Sequence, residues 1–143
     1  MTPNSNHIFV DTNILIGAFA GARYVSDKKC LDYLLKLRGR KLFISSLSIA
    51  QFIATFQKRK APYTDICRNV SFIQSKFYVR NFTEKEINEA LALGASDIED
   101  AIQHIIGRKA GCMTFVTNNE KDFRRNFLDI DVFPSNKIRR IDQ

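Results

Sequence analysis

Acidic and amide side chains stand at four places in this 143-residue chain where metal or acid–base chemistry is possible. Asp11-Thr12-Asn13 follows the apolar run His7-Ile-Phe-Val, and Gln51 lies near the start of a helical stretch. Asp97 and Asp100 share the segment Ser96-Asp-Ile-Glu-Asp-Ala-Ile-Gln-His, and Asn119 and Asp122 follow Thr117. A carboxylate that closes an apolar strand is costly unless it is hydrated, paired or metal-bound. Each position also has a plain structural explanation. Asp11 caps a helix well. Ser96 with Glu99, and Ser48 with Gln51, have capping-box spacing, and acids in a first turn complement the helix dipole. Asn119 with Asp122 reads as a cap and a first-turn acid, and His104 as a rim histidine. Together, however, they form a set of oxygen donors of the kind Mg²⁺ or Mn²⁺ takes. Such an ion polarises a phosphodiester and screens its charge from an acidic site.

These side chains need elements that bring them together. Apolar runs at His7–Val10, Lys41–Ser45, Phe77–Val79, Met113–Thr117 and Ile130–Phe133 read as short strands. Helical periods fall between them, over Asn13–Phe19, Val25–Arg38, a stretch opened by Ser48, Tyr63–Ser75, and two helices meeting near Gly94 with boxes at Thr83/Glu86 and Ser96/Glu99. A short helix is expected from about Asn119. The alternation predicts an α/β fold, a central parallel sheet flanked by helices, as one domain over residues 1–143. In an open sheet of this type ligands bind beyond the carboxyl ends of the strands, where Asp11, Ser45-Ser46 and Thr117-Asn118-Asn119 fall. At 100° per residue Asp97, Asp100 and His104 share one stripe of a helix, with Ile98, Ile102, Ile105 and Ile106 opposite. Packing through the isoleucines would turn the acids to the rim.

Composition narrows the class. Lys and Arg number 22 against 15 Asp and Glu, a net charge of +7, which suits a polyanionic partner such as nucleic acid. No run of 18 apolar residues occurs and the first residues lack a signal-peptide pattern, so no membrane association is expected. Cys30, Cys67 and Cys112 form no CxxC and fit buried thiols in a reducing, cytoplasmic setting. Neither G-x-G-x-x-G nor G-x-x-x-x-G-K-[ST] is present. Asp11 lacks the adjacent acid of a phosphoacceptor site, and the two histidines form no hydrolase constellation.

Four segments in this order resemble the PIN-domain family, especially the VapC-like toxins of toxin–antitoxin pairs. They are Phe9-Val-Asp-Thr-Asn-Ile-Leu-Ile, Ile44-Ser-Ser-Leu-Ser-Ile-Ala-Gln, Asp97-Ile-Glu-Asp-Ala-Ile-Gln and Phe115-Val-Thr-Asn-Asn-Glu-Lys-Asp-Phe. The resemblance implies an endoribonuclease dependent on Mg²⁺ or Mn²⁺. Its metal-binding set would be Asp11 and Asp100 with Asp97, Asn119 and Asp122, and Asp11, Asp100 and Asp122 would be catalytic. Thr12 and Thr117 would line the pocket. Gln51 departs from the family pattern, which has Glu there. That change removes a charge and leaves a second expectation open, a catalytically weak PIN domain that binds RNA or protein. A cognate antitoxin and a homodimer are the implied partners. Arg38, Arg40, Lys41, Lys58, Arg59, Lys60, Arg124 and Arg125 are candidates for holding the RNA backbone, and Tyr24, Tyr63 and Phe82 for stacking bases.

Overall fold

The computed structural model describes residues 4–21 and 25–142. Tyr24 lies outside them. Five strands, β1 (Asn4–Val10), β2 (Lys41–Ser45), β3 (Tyr78–Arg80), β4 (Cys112–Val116) and β5 (Asp131–Phe133), form one sheet in the order β3-β2-β1-β4-β5. Every pairing is parallel; Ile8 lies opposite Leu42 on one side and Thr114 on the other. The helices are α1 (Thr12–Phe19), α2 (Val25–Lys36), α3 (Ser46–Lys58), α4 (Tyr63–Lys76), α5 (Glu84–Ala92), α6 (Ile98–Lys109) and α7 (Glu120–Asn126), and a 3₁₀ segment (Ser135–Asp142) closes the chain.

The strands are apolar on both sides because both faces are covered. Successive side chains alternate between faces, and two cores follow from that alternation. Ile8, Val10, Leu42, Ile44 and Val116 pack under α1–α4 and the 3₁₀ segment, against Leu15, Cys30, Leu34, Phe52 and Ile138. Phe9, Phe43, Phe115 and Val132 face the other way, against Ala90, Ala101, Ile106 and Phe123 of α5–α7. The chain builds outward from β1 to β2 and β3, then returns across the sheet to β4 and β5. The reversal of strand order is therefore centred on β1, and the crevice of such a sheet opens at that strand's carboxyl end. Asp11 is the next residue.

Most of the elements expected from the sequence are present, and the departures have physical reasons. α3 starts at Ser46, not at Ser48, because the Ser45 hydroxyl already caps it by accepting the Ser48 N–H at 3.0 Å. The Ser48 hydroxyl is free for a buried network instead, and Gln51 moves into the second turn. α6 is capped by Asp97, whose side chain accepts the Asp100 N–H, and not by Ser96. The Thr83–Glu86 box forms as expected. His104 is not at the rim: α6 buries Ala101, Gln103, His104, Ile106 and Gly107, with Ile102 and Ile105 partly buried against the same core, and of the four isoleucines only Ile98 is exposed. The imidazole stacks on Phe127 with ring centroids 3.9 Å apart and serves as an aromatic filler. Burial drives its pKa down to about 4, and its Nδ1 has no hydrogen-bond partner. Cys30 and Cys112 are buried thiols, whereas Cys67 is exposed. No helix among the described residues is long and apolar enough to cross a membrane.

One glycine sets how closely α6 approaches the sheet. A Cβ at Gly107 would stand 2.5 Å from the Phe115 ring and 3.0 Å from Phe9. Both rings are buried strand residues with little room to retreat. Gly107→Ala gains helix propensity of about 1 kcal/mol but overpacks the core, which typically costs about 1–3 kcal/mol. Urea unfolding is expected to show net destabilisation; an unchanged or higher midpoint would mean that α6 can lift from the sheet freely.

Candidate metal centre

The carboxyl end of β1, the segment after β4, the first turns of α1 and α6 and the second and third turns of α3 meet over one crevice of about 520 Å³. Its lining includes Asp11, Asp97, Glu99 and Asp100, and among the described residues no Lys or Arg. Asp11 is only 7% exposed. Its Oδ1 accepts the Thr12 N–H at 2.7 Å, and its Oδ2 accepts the Thr117 hydroxyl at 2.7 Å and the Asn13 amide at 3.1 Å. The two readings of Asp11 therefore coexist: it caps α1, and it turns a desolvated carboxylate toward a cavity. Asp100 is reached from the other side, where Asn119 donates its amide to Asp100 Oδ2. The Asn119 N–H is in turn anchored on the Thr117 hydroxyl at 3.0 Å.

A polar network beneath the crevice fixes the orientation of its walls. The Ser45 hydroxyl donates to Gln103 Oε1 at 2.7 Å, and the Gln103 amide donates to Ser48 at 3.1 Å and to Thr12 at 3.3 Å. The Thr12 and Ser48 hydroxyls lie 2.9 Å apart. Thr12 also donates to Gln51 Oε1 at 2.7 Å, and Gln51 Nε2 donates to Glu99 Oε2 at 2.9 Å. A carboxylate only accepts, so Glu99 determines which way the Gln51 amide points. A Glu at position 51 would set two carboxylates against each other there. Gln51 is thus the residue type that matches an acid at position 99 when no cation stands between them.

Like charges crowd this site without a basic partner. Burial, then the nearby Asp97 and Glu99, raise the pKa of Asp11 despite its hydrogen bonds from Thr117 and Thr12. Burial, then Asp11 and Asp97, push Asp100 up to about 7, with a smaller contribution from Asp122. Among the described residues no three His, Cys, Asp or Glu side chains converge as a ready-built metal position. What fits a cation is the donor set itself: oxygen ligands only, several negative charges and no Lys or Arg within. That composition suits a hard ion such as Mg²⁺ or Mn²⁺, which takes one or two carboxylates and keeps waters.

The residues singled out in the sequence distribute unevenly around this crevice. Asp11, Thr12, Gln51, Asp97, Asp100 and Asn119 line it, and Thr117 supports it from below. Asp122, in the first turn of α7, is near enough to act on Asp100 but does not line the cavity. The basic candidates lie elsewhere. Lys41 opens β2, about 13 Å from its carboxyl end, and Arg38 and Arg40 precede it on the same far side. Arg40 is paired with Asp142. Lys58 ends the 13-residue α3, and Arg59 and Lys60 follow it, about 20 Å down from the rim. Arg124 pairs with Glu120, and Arg125 is exposed on α7. Tyr63 begins α4 at the far end of α3, and Phe82 packs into the second core. The sequence marks Glu99 only as a capping partner and does not point to Gln103 or Ser48 as site residues. The i, i+4 spacing of Glu99 and Gln103 was the available signal.

No family model matches the chain, and no curated protein matches it in sequence. Its fold does match solved structures. A toxin–antitoxin complex from Klebsiella pneumoniae is 24% identical with a TM-score of 0.61, over 81% of this chain and 89% of that one. VapBC2 of Rickettsia felis, bound to a DNA fragment from its promoter, is 19% identical with a TM-score of 0.63, over 90% and 98%. VapC20 of Mycobacterium tuberculosis, a sarcin–ricin loop cleaving toxin, is 19% identical with a TM-score of 0.58, over 76% and 86%. The chain has the PIN-like α/β fold of these VapC-type toxins.

The charge crowding predicts a pH signature. An Asp whose folded pKa stands near 7 favours the folded state while protonated, and that contribution disappears as pH rises through 7. Discounted for a partly exposed group, the effect is about 1–2 kcal/mol. Metal-free Asp100→Asn is therefore expected to be more stable than the parent at pH 8, with the difference fading toward pH 5. Thermal melts in EDTA check it, and equal melting points at pH 8 would contradict the crowding.

Proposed function

We propose that this protein is a Mg²⁺- or Mn²⁺-dependent endoribonuclease, the toxin of a toxin–antitoxin pair. The observation that carries the proposal is the crevice at the end of β1, lined by four carboxylates and, among the described residues, by no Lys or Arg, in a chain whose net charge is +7. The VapC-type fold supports the same reading. On this reading Asp11 and Asp100 hold the ion, helped by Asp97 and Asn119, while Asp122 adds negative charge beside Asp100 from outside the cavity. When bound, a divalent ion supplies Lewis-acid polarisation of the phosphate and an activated water, leaving a 5′-phosphate and a 3′-hydroxyl. The Thr117 hydroxyl and the Thr12 N–H keep the Asp11 carboxylate in a fixed rotamer, and the Thr12 hydroxyl holds Gln51. Asn119 restrains Asp100 until a ligand displaces its amide. An antitoxin encoded beside the protein would silence it, and a homodimer is the expected assembly; both belong to the proposal.

One observation favours a second reading. Gln51 is satisfied by Thr12 and Glu99 without any cation, as suits a PIN domain that binds RNA without cutting it. A nuclease assay separates the two. With Mn²⁺ the parent is expected to cut RNA, and Asp11→Asn to be slower by at least about 100-fold, beyond what loss of an outer-shell partner brings. Gln51→Glu is expected to bind Mn²⁺ more tightly than the parent, since a cation would relieve its clash with Glu99. Failure of the parent to cut, with RNA retained in a salt-dependent way, would support the binding module.

A further inference from the structure

A second concavity, of about 580 Å³, runs between α2 and the 3₁₀ segment, and its chemistry is the reverse of the first. Lys29, Lys36, Lys137, Arg139 and Arg140 line it, and all five are exposed. The carboxylates nearby are already engaged. Asp32 takes Lys28 at 2.7 Å, and Asp142 takes the Tyr33 hydroxyl at 2.6 Å and Arg40 at 3.5 Å. None of the five groove cations is in an ion pair among the described residues. The apolar members Cys30 and Ile138 are buried beneath the floor, and the partly exposed Tyr33 is the one aromatic side chain on the wall. Five cations with no acid left to pair them are the complement of a phosphate backbone, which is held by cations and hydroxyls.

A chain of hydrogen bonds links the wall of the groove to the wall of the acidic crevice. At its upper end the Ser26 and Ser135 hydroxyls lie 3.1 Å apart. The Ser135 N–H donates to Asn118 Oδ1 at 3.0 Å, the Asn118 amide donates to the buried Asp27 at 2.7 Å, and the Asn118 N–H donates to Asn13 Oδ1 at 3.4 Å. Asn13 donates in turn to Asp11. Asn118 is thus a fixed sill between the two cavities. From Ser26 to Lys36 the wall of α2 is about 15 Å long, enough for several consecutive phosphates.

We propose that this α2–3₁₀ groove binds the phosphate backbone of single-stranded RNA on one side of the bond to be cut. The proposal rests on the nuclease reading for the position of that bond. It adds to the basic residues expected from the sequence a group of five cations on one groove, with Lys29 and Lys137 toward the Ser26–Ser135 end and Lys36 toward the other.

The test is fluorescence anisotropy of a labelled 15-nucleotide oligouridylate in EDTA, over a KCl series. Each phosphate contact adds about 0.7 to the slope of log affinity against log salt. The double variant Lys29→Gln/Arg140→Gln should lower the magnitude of the slope by about 1.4. The double variant Lys76→Gln/Lys85→Gln removes the same charge from exposed positions outside the groove and should leave the slope unchanged. Circular dichroism confirms that both variants fold. In a parallel Mn²⁺ cleavage assay the groove variant should raise KM and keep kcat at saturating RNA. A slope equal to the parent's in the groove variant, or equal losses in both variants, overturns the groove. So does an unaltered RNA affinity accompanied by lost binding of a 15-residue polyglutamate, which assigns the groove to an acidic protein partner. Loss of slope in the groove variant without cleavage by the parent upholds the groove as an RNA site and overturns the nuclease reading alone.

Discussion

The buried Asp11 carboxylate at the end of β1 is the constraint around which this molecule is arranged. A charge so enclosed needs hydrogen bonds, and it receives them from three directions: the Thr12 N–H that opens α1, the Thr117 hydroxyl just past β4, and Asn13. Those bonds tie the first helix and the fourth strand to the same point. The Thr12 hydroxyl then carries the connection to α3 through Gln51 and to α6 through Gln103. Elements remote in sequence are thus referred to one carboxylate, and the strand order places that carboxylate where a parallel sheet opens.

Charge is segregated to a degree the composition conceals. The crevice is lined by four carboxylates and, among the described residues, by no Lys or Arg, so the +7 excess lies away from it. Burial first, and the crowding of like charges after it, raise the pKa of both Asp11 and Asp100, so the metal-free site is under electrostatic strain that a divalent ion would relieve. The Gln51–Glu99 hydrogen bond tempers this strain at one wall by joining an amide to an acid where two acids would repel.

Much of the fold was legible in the sequence because both faces of a parallel sheet are buried. His7–Val10, Lys41–Ser45 and the run before Thr117 therefore stand out as apolar blocks between helical periods. The convergence of Asp11, Asp97, Asp100 and Asn119 was legible through their positions at strand ends and helix starts. Cap positions were less so, since Ser45 and Ser48, or Ser96 and Asp97, satisfy the same pattern and only tertiary hydrogen bonds choose between them. His104 was misplaced because an imidazole can fill an aromatic core as readily as it can face water, and Phe127, which stacks on it, lies 23 residues on. The basic track was invisible for a similar reason: α2 and the 3₁₀ segment are brought together by long-range packing of Cys30 and Ile138 in a shared core.

The central claim is that the carboxylates at the end of β1 form a divalent-cation site organised by Asp11. Calorimetric titration of Mn²⁺ into the parent and into Asp11→Asn tests it most directly. The account predicts saturable binding by the parent at millimolar metal or below, lost or greatly weakened in the variant. No binding by the parent, or equal binding by both proteins, would contradict it.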